Sequence, residues 1–313
     1  MSISSCTALA DEQGKELARH GTPAFPAACY RDDLNELSVP WHWHEELELV
    51  TVAEGTMSAS AGGAVLTIKQ GDGIFLNKGI LHQMQKGEDA SCRLHSLVFH
   101  GRLVGGGMES IFWQKYLEPL LFDAGFPFCL LSRSIPWQEE ALLAAEKAWR
   151  SCSEEPPGFE FSVRNALSDF LYLLHANRPA VRQSRPSPKA LREQERLKQM
   201  LAYIHGHSCE ELDVRRIAES ALISESECLR CFKHVIGTTP IRYVRQYRLQ
   251  KAAGLLASSD EPVAAVAASC GFQEMSYFAK AFREAHSMTP TAWRNTHRRS
   301  SSPETPSSSK ISR

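Results

Sequence analysis

The chain contains the stretches RRIAESALISESECLRCFKHVIGTTP (Arg215–Pro240) and AVAASCGFQEMSYFAKAFREAHSMTP (Ala265–Pro290), which begin fifty residues apart. Each stretch has small or aliphatic residues, then a polar turn, then apolar residues at helical spacing, and each ends in Thr-Pro. Ten positions between Val214 and Tyr243 recur in character between Ala264 and Trp293 at the same offset. A duplicated structural unit accounts for this repeat.

Each copy predicts a short helix, a tight turn and a longer amphipathic helix, the layout of a helix-turn-helix that reads the major groove. In the first copy Ser224 is a favourable N-cap, and Glu227 completes an S-x-x-E capping box. In the second copy Gly271 stands in the turn and Glu274 is a poorer cap. The two copies therefore predict two reading helices in one chain.

The apolar stripes of the two longer helices leave a set of residues that we expect to face outward and contact DNA. They are Ser226, Leu229, Arg230, Lys233, Met275, Ser276, Ala279, Lys280 and Arg283. Arg230 and Lys280 occupy matching places in the two copies, which makes them the leading candidates. Arginine can read guanine edges, and lysines outside the groove add salt-dependent affinity for phosphates.

A third helix is predicted between the copies, with Thr239 as its cap and Pro240 as its first residue. If it continues to Ala257, it spans about 27 Å, which approaches the roughly 34 Å between successive major grooves. It carries a row of cations: Arg242, Arg245, Arg248 and Lys251. Phosphate contact is one interpretation of that row, and a solvated helix face is the alternative.

Residues 195–296 resemble the DNA-binding domain of AraC-type transcription regulators. The resemblance rests on Arg215–Pro240, on RLQKAAGLL (Arg248–Leu256), on Gly271–Phe282 and on TPTAWR (Thr289–Arg294). It implies a sequence-specific regulator that binds double-stranded promoter DNA. The chain departs from the family at Ser287, where the second unit usually has glycine and the first unit here has Gly237.

Charge is unevenly distributed along the 313 residues. Residues 189–299 carry 17 Lys and Arg against 12 Asp and Glu, and the rest of the chain carries 18 against 24. The basic part is the part with the repeat, as a DNA-binding module requires. The sequence has no apolar run of membrane-spanning length, and the nine cysteines are scattered, so we expect a cytoplasmic protein with reduced thiols and no membrane contact.

The N-terminal half contains strand-length apolar pieces separated by glycine-rich turns, which predicts a small β-barrel or sandwich. The pieces are Leu47–Ala53, Gly55–Ala61, Val65–Ile68, Gly73–Asn77 and Leu94–Phe99. The fold class expected is therefore α+β in two domains, an N-terminal barrel with flanking helices and an all-α C-terminal domain with two helix-turn-helix units joined by a long helix.

The spacing of histidine, glutamate and glycine in this half resembles the two cupin motifs, with Asn77 in place of the usual proline. On one strand residues 42, 44, 46 and 48 would share a face, so His42, His44 and Glu48 could meet His82 inside the barrel. Three histidines and a carboxylate suit a divalent transition metal. The alternative is a small-molecule pocket lined by the same four residues without a metal.

Two amphipathic helices are predicted next, Pro136–Cys152 and Phe159–Ala176, and they have two interpretations. Packing onto the barrel would produce their apolar stripes, which include Leu143 and Phe161, and the family resemblance instead favours a dimer contact. The expected order is a disordered segment 1–20, a sensor domain 21–135, this helical pair 136–177, a linker 178–189, a DNA-binding domain 190–299 and a disordered tail 300–313. Within the DNA-binding domain the units are expected at about 212–237 and 262–287, around a linking helix at about 239–257.

The sequence thus predicts a transcription regulator, not an enzyme, controlled by a small-molecule effector bound in the cupin-like domain. A homodimer and contact with RNA polymerase are the further partners that this interpretation includes. The rival is a cupin enzyme, an oxygenase or isomerase that uses His42, His44, Glu48 and His82 around a metal, with the C-terminal domain as a DNA tether.

Overall fold

The computed structural model describes residues 20–35, 38–89, 91–181 and 187–299. The chain divides into two compact units, residues 1–206 and 207–313. The disorder expected for 1–20 and 300–313 falls outside the described residues, apart from His20, as does the middle of the linker expected at 178–189. The sequence analysis placed Leu191–His205 with the DNA-binding domain, and the helix at this position belongs to the first compact unit.

Eight strands form the barrel in the described part of the first unit. They are β1 Ala27–Asp33, β2 Val39–His42, β3 Leu47–Ala61, β4 Ala64–Lys69, β5 Gly73–Leu76, β6 His82–Lys86, β7 Cys92–Phe99 and β8 Phe128–Leu131. One sheet has the order β1-β7-β3-β5-β8, while β3 also pairs with β4 and β6, and β2 pairs with β6. All the pairs are antiparallel.

The long strand β3 joins the two sheets, and the sequence analysis divided it in two. A register shift between Val52 and Glu54 bends the strand, so its first part pairs with β7 and β5 and its second part with β4 and β6. The strand continues through Gly55, which has a φ of +74°. A side chain at this position would collide with the Ser91 carbonyl oxygen. A bulge of this kind allows one strand to bend and take part in both sheets of a barrel. The break predicted between Ala53 and Gly55 is therefore a bend within one strand.

Helices follow the strands in the first unit. They are α1 Arg102–Gly105, a π-helical turn at Trp113–Leu117, α2 Glu118–Leu121, α3 Pro136–Glu154, α4 Phe159–Val181 and α5 Pro188–Gly206. The apolar stripes of α3 and α4 are buried with Leu47, Leu49 and Leu97 of the sheet in one core. The stripes therefore pack within the chain. Two expected members, Leu143 and Phe161, are instead 57% and 72% exposed.

The second unit consists of helices. They are α6 Val214–Ser220, α7 Glu225–Cys231 with a π-helical continuation at Phe232–Ile236, α8 Pro240–Ser258, α9 Val263–Ser269, α10 Met275–His286 and α11 Pro290–Arg299. The expected caps are confirmed at Ser224, which accepts from the Glu227 N–H at 3.2 Å, and at Thr239, which accepts from the Arg242 N–H at 3.4 Å. Glu274 makes no side-chain cap bond. Among the described helices, none has both the length and the apolar character that a membrane crossing needs.

The constant offset of fifty residues is wrong for the first helix of each copy. Helices α6 and α9 begin at Val214 and Val263, an offset of forty-nine, and the buried pair Ile217 and Ala218 corresponds to Val266 and Ala267. The N-caps Ser224 and Glu274 are fifty residues apart. The second turn is therefore one residue longer, and Gly271 corresponds to Leu222, both with positive φ. Alanine-rich sequence hid this shift, because every position of α9 looks apolar.

Both reading helices end on a residue with left-handed backbone. Gly237 has φ +82° and Ser287 has φ +56°. Ser287 therefore adopts a backbone conformation that favours glycine. A residue with a side chain in the left-handed region costs about 1–2 kcal/mol, and glycine avoids that cost.

The substitution Ser287→Gly should raise the free energy of unfolding of the helical unit by about 1 kcal/mol, because it removes the left-handed penalty while glycine loses some chain entropy. The matched control Gly237→Ser should lower it by a similar amount, since a Cβ there has open space and only the backbone term changes. Denaturant unfolding followed by far-UV circular dichroism measures both. If Ser287→Gly left the free energy of unfolding unchanged while Gly237→Ser lowered it, the assignment of strain to Ser287 would be contradicted.

Candidate functional site

The first reading helix, α7 with its π-helical continuation, buries one side and exposes the other. Its buried residues are Cys228, Cys231 and Phe232, all 0% exposed. The four residues predicted to face outward are all exposed: Ser226, Leu229, Arg230 and Lys233. The expected orientation of this helix is confirmed.

The Arg230 guanidinium lies along the surface of this helix. Its Nη2 is 3.3 Å from Glu227 Oε1, and the arginine side chain is 56% exposed. An exposed pair of this kind contributes at most about 1 kcal/mol. A guanine edge or a phosphate can therefore replace Glu227 as the partner of Arg230 at small cost.

The second reading helix, α10, shows the same division. Phe278, Ala281 and Phe282 are buried. Met275, Ser276, Lys280 and Arg283 are exposed, and Ala279 is half-buried. The structure thus leaves all nine predicted residues at least partly open to solvent, with their contact to DNA still a prediction.

The cations of α8 are not a uniform solvated face. Arg248 is half-buried, and its Nε donates to the Ser208 carbonyl at 2.7 Å. Desolvation lowers the pKa of this guanidinium. Arg245 lies 2.6 Å from Glu284 of α10, and Lys251 donates to Ser208 Oγ at 3.3 Å. These three residues connect parts of the unit, and their partners lie too far along the chain for periodicity to find them.

In the first unit, the predicted convergence of His42, His44, Glu48 and His82 is confirmed. One ligand atom from each lies within 4.8 Å of the others, and all four residues are buried. The reason given for it is wrong, however, because His42, His44 and Glu48 do not lie on one strand. Strand β2 ends at His42, β3 begins at Leu47, and His44 lies in the loop between them. Pairing of His42 with His82 across β2 and β6 completes the cluster.

Backbone carbonyls fix the orientation of the three imidazoles. The Nδ1 atoms lie 2.8 Å from the Pro40 oxygen, 3.0 Å from the Glu46 oxygen and 2.7 Å from the Ile80 oxygen for His42, His44 and His82, respectively. A carbonyl only accepts, so each Nδ1 carries a proton and Nε2 is the nitrogen left to face the centre of the cluster. This is how proteins prepare histidine ligands for a metal.

The Glu48 carboxylate faces two of these Nε2 atoms, those of His44 and His82. Its Oε2 lies 3.3 Å from His44 Nε2 and 3.0 Å from His82 Nε2. Burial raises the pKa of Glu48, but hydrogen bonds and charge from His44 and His82 outweigh it and hold the pKa well below the usual range. The site therefore offers an anionic oxygen and three imidazole nitrogens, a donor set that fits a divalent first-row transition metal.

The sequence analysis did not foresee the hydrogen bonds of Asn77 or the position of His20. Asn77, at the position of the usual proline, donates through Nδ2 to the carbonyls of Leu120 and Phe126 at 2.9 and 3.0 Å. The buried His20 ring lies 5.4 Å from that of His44, and its Nδ1 is 2.8 Å from the Tyr30 hydroxyl. A single histidine before the first strand gives no periodic signal by which sequence reasoning could find it.

Helix α5 contacts the backbone next to the cluster of His42, His44, Glu48 and His82. Lys198 Nζ donates to the Gly79 carbonyl at 2.6 Å and lies 4.5 Å from the centre of the Trp43 ring. The Gly79 N–H in turn donates to the His44 carbonyl at 2.7 Å. Desolvation lowers the pKa of Lys198. One hydrogen-bonded path therefore connects α5 to the backbone of His44.

Comparison with known proteins gives a family match for each half. Residues 25–138 match a family described as "AraC-like ligand binding domain". Residues 217–296 match a family described as "Helix-turn-helix domain". Together the two matches cover more than half of the chain, and each includes the site described above for its half.

Relatives cover nearly the whole chain. The chain is 29% identical to the "Uncharacterized HTH-type transcriptional regulator YdeC" of Bacillus subtilis, over 91% of this chain and 97% of that protein. It is 27% identical to the "HTH-type transcriptional activator RhaS" of Citrobacter koseri, over 87% and 94%. Among solved structures, ToxT from Vibrio cholerae matches with a TM-score of 0.46 and 11% identity, over 86% of this chain and 96% of that one.

These matches agree with the two architectures that the structure shows. An AraC-like ligand-binding domain implies a small-molecule effector, and a duplicated helix-turn-helix implies DNA as partner. The chain belongs to the AraC family of transcription regulators, with its ligand-binding domain at the N-terminal end and its DNA-binding domain at the C-terminal end.

Proposed function

We propose that this regulator reads DNA through the exposed faces of α7 and α10, and that its effector binds at a divalent metal held by His42, His44, Glu48 and His82. The second part rests on one observation: backbone carbonyls hold the three imidazoles so that one ligand atom from each, and one from the buried Glu48, lie within 4.8 Å of one another. The DNA-binding domain is proposed to extend over 190–299.

The four protein ligands divide the work in this proposal. Glu48 supplies negative charge that offsets part of the metal's charge, and the three neutral histidines complete the donor set. When bound, the metal supplies a Lewis-acidic position for an oxygen of the effector. The His20 ring lies beside that of His44 and its Nδ1 bonds with the Tyr30 hydroxyl, so His20 is placed to contact that effector.

We favour a sensor over a cupin enzyme because the relatives that match along their whole length are named as transcription regulators. We propose the cytoplasm as its location, because its proposed target is promoter DNA. A homodimer fits the exposed apolar residues Leu143, Phe161 and Tyr172 on α3 and α4. RNA polymerase is the further partner proposed for a regulator that acts at promoters.

Cobalt(II) added to metal-free protein should bind with one equivalent and give visible d–d absorption. Glu48→Gln and His82→Gln should each weaken binding at least tenfold, an expected loss of about 1.4 kcal/mol or more. His100→Gln is the matched control, because His100 lies outside the cluster and its Nδ1 accepts from the Arg102 N–H. Metal affinity should fall as the pH is lowered, since protons compete with the metal for Nε2.

Cobalt binding that is equal in the wild type and in Glu48→Gln would refute the metal part of the proposal. Turnover of a substrate by the metal-loaded protein would favour the enzyme instead. Adding the metal together with candidate metabolites, and following the melting temperature, separates an effector that needs the metal from one that does not.

For DNA reading, Arg230→Ala should relax base preference at one half of the selected site and cost about 1–3 kcal/mol in binding. Lys280→Ala should weaken binding to the other half of the site and reduce the salt dependence of DNA affinity, because it removes one cation. Arg102→Ala is a control, as this exposed arginine lies on α1 of the first unit, outside the proposed DNA-binding domain. Footprinting and salt titration on DNA selected from a random pool measure these effects, and unchanged patterns for both variants would exclude the two residues from the reading faces.

A further inference from the structure

We propose a second small-molecule site on the outer face of the barrel, where a cleft of about 560 Å³ lies between the sheet and α3. Its polar lining residues are Thr51, Gln70, His95, Arg133 and Glu146. The ligand class that they fit is a small carboxylate bearing a hydroxyl or amino group. The proposal goes beyond effector binding at the metal cluster, and it stands or falls independently of that metal.

Strand alternation separates the two sites. Glu48 and Thr51 differ by an odd number of positions on β3, so their side chains point to opposite faces of the sheet. Leu47 and Leu49 lie on the same face as Thr51 and are buried under α3 and α4. The cleft is thus outside the barrel, whereas the metal-ligating cluster is inside it.

The cleft begins where this covered face changes from apolar to polar. Leu49 pairs with Leu97 across β3 and β7, and two residues further along Thr51 pairs with His95. The leucines belong to the core beneath the helices, while the His95 side chain is 21% exposed. The sheet therefore presents a polar pair at the edge of its own core, beside an open space large enough for a metabolite.

Glu146 of α3 is held firmly by this pair. Its Oε2 lies 3.2 Å from His95 Nδ1, and its Oε1 accepts from the Thr51 hydroxyl. The His95 ring stacks on Trp149 with centroids 3.6 Å apart and planes 8° apart. Burial raises the pKa of Glu146, but the bonds from His95 and Thr51 outweigh it and the net shift is downward. The floor of the cleft is a fixed carboxylate with lone pairs left for a donor.

Arg133 supplies the opposite charge. Its Nε donates to the Gly71 carbonyl at 3.0 Å, and its backbone N–H donates to Asp72 Oδ1 at 2.9 Å. The side chain lies against Gly71, where a Cβ would come within 3.2 Å of Nε. One edge of the guanidinium is anchored, and among the described residues its two η nitrogens have no hydrogen-bond partner. An anchored guanidinium with a free fork is a receptor for a carboxylate.

The two charged groups define the ligand. A carboxylate on the ligand would take the η nitrogens of Arg133, and a hydroxyl or ammonium on the same molecule would donate to Glu146. An anion that has no hydrogen-bond donor would place its negative charge near the Glu146 carboxylate without a hydrogen bond to it. A neutral diol would leave Arg133 without a carboxylate to bind. Both incomplete ligands should therefore bind more weakly than the complete one.

The test uses the full-length protein and calorimetric titration with L-lactate and L-serine as probes, and acetate and ethylene glycol as incomplete probes. Lactate or serine should bind saturably and more tightly than acetate, with no saturable binding of ethylene glycol. Arg133→Ala should lower the affinity for lactate and serine at least tenfold, and Arg133→Lys should lower it less. Glu146→Gln should reduce the difference in binding affinity between lactate and acetate. Arg164→Ala, an exposed arginine on α4, is the control that should change nothing.

Melting temperature and cobalt affinity report whether each variant keeps the fold and the metal cluster. Failure of cobalt binding alone would count against the metal and leave this proposal intact. Absence of saturable binding by both lactate and serine overturns the second site. Binding that is equal in the wild type, Arg133→Ala and Arg133→Lys overturns it as well, because the probe would then bind elsewhere.

Discussion

The DNA-binding unit depends on one aromatic contact made twice. Phe232 at the end of the first reading helix lies 5.9 Å from Tyr243 of α8, and Phe282 lies 6.0 Å from Trp293 of α11, ring centre to ring centre. Each pair fastens a reading helix to the Thr-Pro helix that follows it, and Trp293 Nε1 also donates to the Ala253 carbonyl of α8 at 3.1 Å. Because these buried contacts fix the apolar side of each reading helix, the exposed side is fixed too. The orientation of the residues proposed to contact DNA therefore depends on packing inside the helical unit.

The ligand-binding unit relies on a different constraint, the need to satisfy buried polar atoms. Three buried imidazoles each find a carbonyl two residues away in sequence, and this local pairing decides which nitrogen faces the centre of the cluster. Asn77 does the same for the carbonyls of Leu120 and Phe126. Donors and acceptors that would be costly unpaired are used to orient loops, so the binding geometry follows from satisfying the backbone.

Most of the architecture could be predicted from the sequence, and the errors have physical causes. The caps at Ser224 and Thr239 and the buried stripes of α7 and α10 came from local patterns and were confirmed. The single strand β3 was divided because glycine at position 55 looks like an end when it is part of a bend. The cluster of His42, His44, Glu48 and His82 was found by motif spacing, although the loop that assembles it differs from the strand that was expected.

The sequence by itself determined where helices begin, which faces they bury and which residue types meet in the N-terminal half, because these follow from short-range periodicity, capping and motif spacing. The tertiary structure alone decided the one-residue difference between the two turns, the use of Arg248 as a tie to the Ser208 carbonyl, and the meeting of Thr51, Arg133 and Glu146 around one cleft. Those partners lie tens of residues apart in the chain. Their proximity depends on how strands and helices pack, and no local pattern contains that information.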